Sequence, residues 1–527
     1  MRSMLWRGGI TAVAAATQEP LQVVGLTATA SGQTTINLSW TADATPSPNG
    51  ATSYEVERSV DGLGSWSTIA TGITTNSYSD TSLSASTTRY YRVSAYNSFG
   101  GALPSASANA TTASGSLSPS WSLDFSTGTP SGYTLTRASS GTYVDSSGYV
   151  ASASTDIARL THNSSGSRLG LLVEQSSTNL LKHSRTNDAT WSTNGATKPS
   201  TTETAPNNAG EAVVLRDSTA GTYHFFLQDG VAVSASTQYV YSCYMKANGR
   251  NFGCLSMVNS ANNLGLGVVF GLTGAGSVTQ TNNVGSPTNT SSGITSVGNG
   301  WYRCWLSWET GSGVTSSRIF IASSNSGTPG NVGIGMPIYA AASDTDCINL
   351  WGAQLETGSV PTAIIPTTTA SVTRSADLAH VLDSSITSWG DPGALVVHFY
   401  PPGQAGTILS TDDASTAQVG IEASTTTAAR AFWSSGSTST GTIGTGVQKA
   451  VHYWNGSTSK FAINGGTVQS GTNNLTIANT DFVTLGAEAT ESGGVPGTFS
   501  QYANFIIRRV EFYSGTLTDA NLQTITT

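Results

Sequence analysis

The sequence predicts an all-β protein built of tandem β-sandwiches. Three observations carry that prediction. Charged residues make up only 10% of the 527, against a usual ~25%, so the Glu, Lys and Arg that clothe helix surfaces are scarce. Glycine, at 58 residues, punctuates short runs rich in Thr, Val, Tyr and Trp, as turns punctuate strands. The 12 Trp, 18 Tyr and 14 Phe are spread along the chain. They supply the apolar surface that a disordered Ser/Thr/Gly-rich chain lacks.

A single core rarely grows past about 250–300 residues, so several domains are expected. The reading divides the chain into an arm (1–20) and three sandwiches (21–113, 120–373 and 377–527). Ala113–Pro119 and Thr367–Asp377 read as small-residue or Thr-rich linkers, where proteolysis should concentrate. The net charge is −8 and no Lys/Arg run occurs, so a nucleic-acid surface is not expected. No apolar run approaches the ~18 residues a membrane-spanning helix needs, so membrane insertion is not expected either.

Met1–Gln18 holds two Arg and a small-residue stretch but lacks the dense apolar segment of a signal peptide. It reads as a retained arm. Leu5, Trp6, Ile10 and Val13 give it an apolar character suited to docking on a partner protein.

In the first sandwich, Ile36, Leu38 and Trp40 alternate as on a half-buried strand. Tyr54-Glu55-Val56-Glu57-Arg58 and Tyr90-Tyr91-Arg92-Val93-Ser94-Ala95-Tyr96-Asn97 follow. These residues resemble a fibronectin type III domain, with Arg89 where the family's corner tyrosine usually lies. The resemblance implies a spacer and no catalysis.

The second region carries Thr136-Arg137-Ala138-Ser139, Gly170-Leu171-Leu172-Val173-Glu174, Thr178-Asn179-Leu180-Leu181, Gly352-Ala353-Gln354-Leu355-Glu356 and Pro361-Thr362, in that order. Together these phrases resemble a region of tailed-phage and prophage structural proteins, commonly described as head-spike or tail-fibre proteins. Its strand-rich part is similar to jelly-roll carbohydrate-binding modules. The third region holds Gly393–Tyr400, Lys460–Gly466 with its Asn-Gly turn, and Phe505–Tyr513. It resembles a laminin-G or concanavalin-A-like sandwich.

Catalytic constellations are missing from the sequence. There is no G-x-S-x-G, P-loop or H-E-x-x-H motif, and the six His are scattered. Glu488 and Glu491 are the nearest thing to a glycosidase pair, but they read as a loop. Asp412-Asp413 reads as a turn more readily than as a Ca²⁺ site. No cofactor, metal site or catalytic residue is expected. Cys243, Cys254, Cys304 and Cys347 form no C-x-x-C pair. Alternation makes Cys243 and Cys304 candidate neighbours, as thiols or as a disulfide.

Sugar contact needs only flat rings and a few polar groups. In Trp301–Trp308, alternation sends Tyr302, Cys304, Leu306 and Trp308 to the core. Trp301, Arg303 and Trp305 then face outward, with Tyr244 and Lys246 on the polar face of Tyr239–Lys246. Two readings compete for this face: cover by another domain or subunit, and contact with glycan. Trp433, Tyr453 and Trp454 are weaker candidates. The resemblance implies a non-enzymatic virion protein. It would join other virion proteins through its arm, form a homo-oligomer, and bind host-surface polysaccharide. A glycan-degrading enzyme and a ligand-free decoration protein are the alternatives.

Overall fold

A computed structural model describes residues 18–113, 117–186, 189–210, 212–218, 221–341, 346–386, 389–401, 405–412, 419–433, 436–456, 458–472, 482–491, 496–500 and 504–527. The arm residues Leu5, Trp6, Ile10 and Val13 lie outside them. The chain is all-β, with tandem sandwiches of antiparallel strands. It divides into two compact units, Met1–Leu117 and Ser118–Thr527.

In the first unit, Thr27–Ala30, Ile36–Ser39 and Ser77–Asp80 form one sheet. Ser67–Ile73, Ser53–Ser59, Thr88–Asn97, Gly100–Gly101 and Ala108–Thr111 form the other. Ile36, Leu38 and Trp40 point into the core between them, with Tyr54, Val56, Tyr91 and Val93. The Trp40 and Tyr54 rings meet edge to face at 5.3 Å, a preferred aromatic geometry. The Tyr91 hydroxyl donates to Asp80 Oδ2 at 2.8 Å.

The second unit holds two sandwiches. Residues 192–357 supply one. Its first sheet contains Phe225–Ala232, Ser316–Ser324, Phe252–Asn259 and Gly265–Gly271; its second contains Val213–Asp217, Cys347–Thr357, Gln238–Asn248, Trp301–Glu309 and Thr288–Gly298. Tyr302, Cys304, Leu306 and Trp308 all enter the core, as alternation requires. Cys243 and Cys304 stand directly opposite each other, and all four cysteines are buried and form no disulfide.

The other sandwich departs from the expected boundaries. Its C-terminal strands pair with residues assigned from sequence to 120–373. Phe505–Ser514 binds Gly393–Tyr400 along one edge. Its opposite edge takes Trp121–Asp124 and Arg168–Val173 in succession. In the facing sheet, Thr134–Thr136 pairs with Leu378–Leu382. Leu123, Phe125, Leu171 and Val173 sit in the same core as Val397, Ile507 and Phe512. The physical reason is edge satisfaction. Without these early strands, Phe505–Ser514 would present a row of unpaired backbone groups.

The middle sandwich is therefore an insertion in the last one. The chain leaves through Ser177–Asn179 and returns through Val372–Arg374, and these two crossings pair antiparallel. The stretch Thr367–Asp377 is accordingly no linker: Thr367, Arg374 and Asp377 are buried. The chain closes with a helix, Asp519–Thr526, whose first turn is capped by Thr518 and Asn521 in a reciprocal box.

Candidate functional site

The second-region phrases meet at the paired crossing between the two sandwiches. Arg137 Nη1 bonds Asp377 Oδ1 at 2.9 Å. Arg159 bonds Glu174 Oε2 at 2.6 Å through Nη1, and Asp377 Oδ2 through Nη2. Arg374 approaches Glu174 at 3.5 Å. All five charged side chains are buried. Burial alone would raise the Glu174 carboxyl. Arg374 and Arg159 beside it outweigh that and hold it at about 2.

Asn179 and Glu356 continue this junction. The Asn179 amide donates to Ala353 O and Ile365 O, at 3.2 and 2.9 Å, and its oxygen accepts from the Leu181 and Leu355 N–H groups. Glu356 accepts from Ser177, Gln354 and both the backbone and hydroxyl of Thr362. The amide and carboxylate atoms of Asn179 and Glu356 thus all have partners, which makes them tolerable in a dry interior, whereas Arg159 Nε and Arg374 Nε of the same junction have none.

Gly352 serves the same region through its backbone. The pairing of Gln238–Asn248 with Cys347–Thr357 shifts register between Ser242 and Tyr244. Gly352 takes φ +66° at that irregularity, and a Cβ there would meet the Tyr244 ring at 3.0 Å. A left-handed residue in a shifted ladder is glycine's usual role.

The proposed sugar face is only partly open. Trp301 is 2% and Tyr244 4% exposed, so neither ring faces solvent. Both pack with Val150, Ala205, Ala212, Trp351 and Ile364, and Trp301 Nε1 donates to Thr204 O at 3.1 Å. The cover comes from segments far away in sequence, because two outward rings left wet would be costly. Lys246 is held by Glu203 at 2.7 Å. Trp305 and Arg303 are half-buried. The Trp305 indole lies against Gly293 of the neighbouring strand, where a Cβ would come within 2.7 Å of it. Arg303 donates to Ser242 Oγ at 3.2 Å and sits over the Tyr244 ring at 5.4 Å.

The remaining candidates are placed as follows. Trp433, Tyr453 and Trp454 are buried, so they build core and offer no sugar platform. Glu488 and Glu491 lie on a strand that pairs with Pro496–Ser500, not on a loop. Asp412 ends the strand Gly406–Asp412, and Asp413 lies outside the described residues. Among the described residues no group of three or more His, Cys, Asp or Glu could hold a metal ion.

The junction was missed as a site from sequence. Its signal was present: Arg and Glu in phrases otherwise apolar, in a chain with only 10% charged residues.

No protein-family model matches the chain, and no curated protein matches it. Solved structures similar to it include an Fn3-like protein from Clostridium thermocellum, at 39% identity over 18% of this chain and 92% of that one, with a TM-score of 0.16. The protein FN3tt matches at 25% identity over 18% of this chain and 94% of its own, with a TM-score of 0.15. A fibronectin type-III domain of human fibronectin type III domain containing protein 3 matches at 28% identity over 20% and 94%, with a TM-score of 0.17. These likenesses are to fibronectin type III-like β-sandwich domains, and each spans about one fifth of this chain.

Proposed function

We propose that the chain is a non-enzymatic structural protein of a phage or phage-like particle, of the head-spike or tail-fibre kind. In this reading its jelly-roll-like middle sandwich contacts host-surface glycan. The observation that carries it is the convergence of the spike-like phrases on one buried junction. Ser177 and Asn179 tie the crossing strand to Glu356 and Ala353 of the middle sandwich, and Ala363 N–H reaches Glu174, while Arg137 and Arg159 brace the last sandwich's own strand ends at Asp377 and Glu174. Such a junction suits a part that must present a surface in fixed orientation. The concanavalin-A-like last sandwich then serves as its base, and the apolar arm at residues 1–20 docks on other virion proteins. Homo-oligomers and many copies per particle make weak sites useful.

Trp305 is the ring left for stacking on a sugar, a contact worth on the order of 1 kcal/mol. The test is binding of the full chain to a glycan array, beside Trp305→Ala. Loss of binding in the variant, with unfolding nearly unchanged and no release of reducing ends, supports the reading. Sugar release would make the protein an enzyme. No binding to any glycan would leave a ligand-free decoration protein.

A further inference from the structure

A cleft of about 210 Å³ opens beside Arg303, lined by Tyr143, Thr161, Glu174, Tyr244, Arg303 and Pro361 among others. It lies between the face of the middle sandwich and the hairpin Gly141–Val144/Val150–Ala153. Drug-sized sites run from about 300 to 1,000 Å³, so this one suits a single ring with its substituents.

Its polar groups are unevenly satisfied. Glu174 is fully engaged: Oε2 accepts from Arg159 and Oε1 from the Ala363 N–H. Arg303 differs from the arginines of the nearby junction. Arg137, Arg159 and Arg374 each face a carboxylate, whereas Arg303 has no ion pair among the described residues. Its guanidinium donates to Ser242 Oγ, and its Nε, like those of Arg159 and Arg374, is buried without a partner. A half-buried guanidinium at a cleft wall, with no counter-charge of its own, is open to pairing with an anion. The Tyr244 ring beneath holds it in place. Burial raises the Tyr244 hydroxyl above its usual range, with Arg303 pulling the other way, so it stays a donor at neutral pH.

We infer that this cleft binds a sugar bearing one carboxylate, such as a uronic or sialic acid residue, with Arg303 pairing the carboxylate and Tyr244 donating to it or to a ring hydroxyl. One uncompensated cation in a chain of net charge −8 suits a monoanion better than a phosphate dianion. The tyrosine rings and Pro361 offer apolar walls for C–H faces. This inference rests on the glycan reading above and gives it a ligand class and a second site, two residues along the strand from Trp305.

The experiment titrates the full chain with 3′-sialyllactose and digalacturonate, beside neutral lactose and galactobiose, at low and high salt. The expected result is salt-sensitive binding of an acidic sugar. Arg303→Gln should weaken it about ten- to a hundredfold, Arg303→Lys should restore part, and Tyr244→Phe should weaken it with the unfolding midpoint held. Equal binding of acidic and neutral sugars overturns the inference, as does acidic-sugar binding that survives both Arg303→Gln and Tyr244→Phe. Either result leaves the glycan reading intact. Glycan binding lost in Trp305→Ala but untouched by Arg303→Gln places the contact on the open face and also overturns it. Failure of the full chain to bind any saccharide sinks both.

Discussion

Arg137 and Asp377 stand 240 residues apart in sequence, yet Arg137 Nη1 meets Asp377 Oδ1 at 2.9 Å with both side chains wholly excluded from water. Asp377 also takes Arg159 on its second oxygen. One carboxylate thus bonds two guanidinium groups where the middle sandwich joins the last one.

Removing that carboxylate should be severe. Asp377→Ala strands Arg137 in a dry interior and leaves Arg159 with Glu174 alone, and breaking a buried pair in this way costs about 3–5 kcal/mol. Denaturant unfolding of the full chain should show the loss in the transition of residues 118–527. A change below about 1 kcal/mol, the scale of a surface pair, would mean that water reaches the junction.

Acid should weaken the same place. Glu174 is held at about 2 when folded, against an ordinary 4.5. Its contribution is therefore complete above about pH 4.5. Below that, the unfolded chain takes up a proton first, and stability falls as the pH drops towards about 2. The loss is on the order of 3 kcal/mol. Unfolding midpoints measured between these pH values should fall for the native chain and fall less for Glu174→Gln. Parallel curves for the two proteins would contradict this.

Gly352→Ala should destabilise without altering any buried polar contact. The left-handed backbone costs a side chain about 1–2 kcal/mol, and the added Cβ must also displace the Tyr244 ring at 3.0 Å. Thermal unfolding reads the effect. An unchanged midpoint would show that the ladder can shift its irregularity to another residue.

The four thiols should be silent to Ellman's reagent in the native protein and react together in denaturant. All are buried, and burial pushes Cys243 and Cys254 up to about 12, so thiolate is scarce at neutral pH. Rapid labelling of the native chain would indicate that the middle core opens.

Local pattern made the cores legible. Alternation placed Tyr302, Cys304, Leu306 and Trp308 inside, and Ile36, Leu38 and Trp40 likewise. It could not say what lies on the other face of a strand. Trp301 alternates outward as read, but the segment around Thr204 and Ala205 closes over it. Boundaries failed for a related reason. Nothing local in Leu171-Leu172-Val173 reveals that its ladder partners are Ile507, Ile506 and Phe505. The second-region phrases were visible as words in a fixed order, but their meeting in space depends on pairings across some 200 residues, such as Asp377 N–H with Glu174 O.

The inserted position of the middle sandwich decides how the second unit bears tension. A pull applied between Ser118 and Thr527 enters through Trp121–Asp124, whose ladder to Arg509–Phe512 belongs to the last sandwich. The middle sandwich hangs from two strands that lie side by side, Ser177–Asn179 and Val372–Arg374. It is a side branch off the line of force. Trp121 and Phe512 stand opposite each other at the pulled end of that antiparallel ladder, so stretching must first peel the last sandwich open, and the middle sandwich keeps its shape while the last one takes the strain.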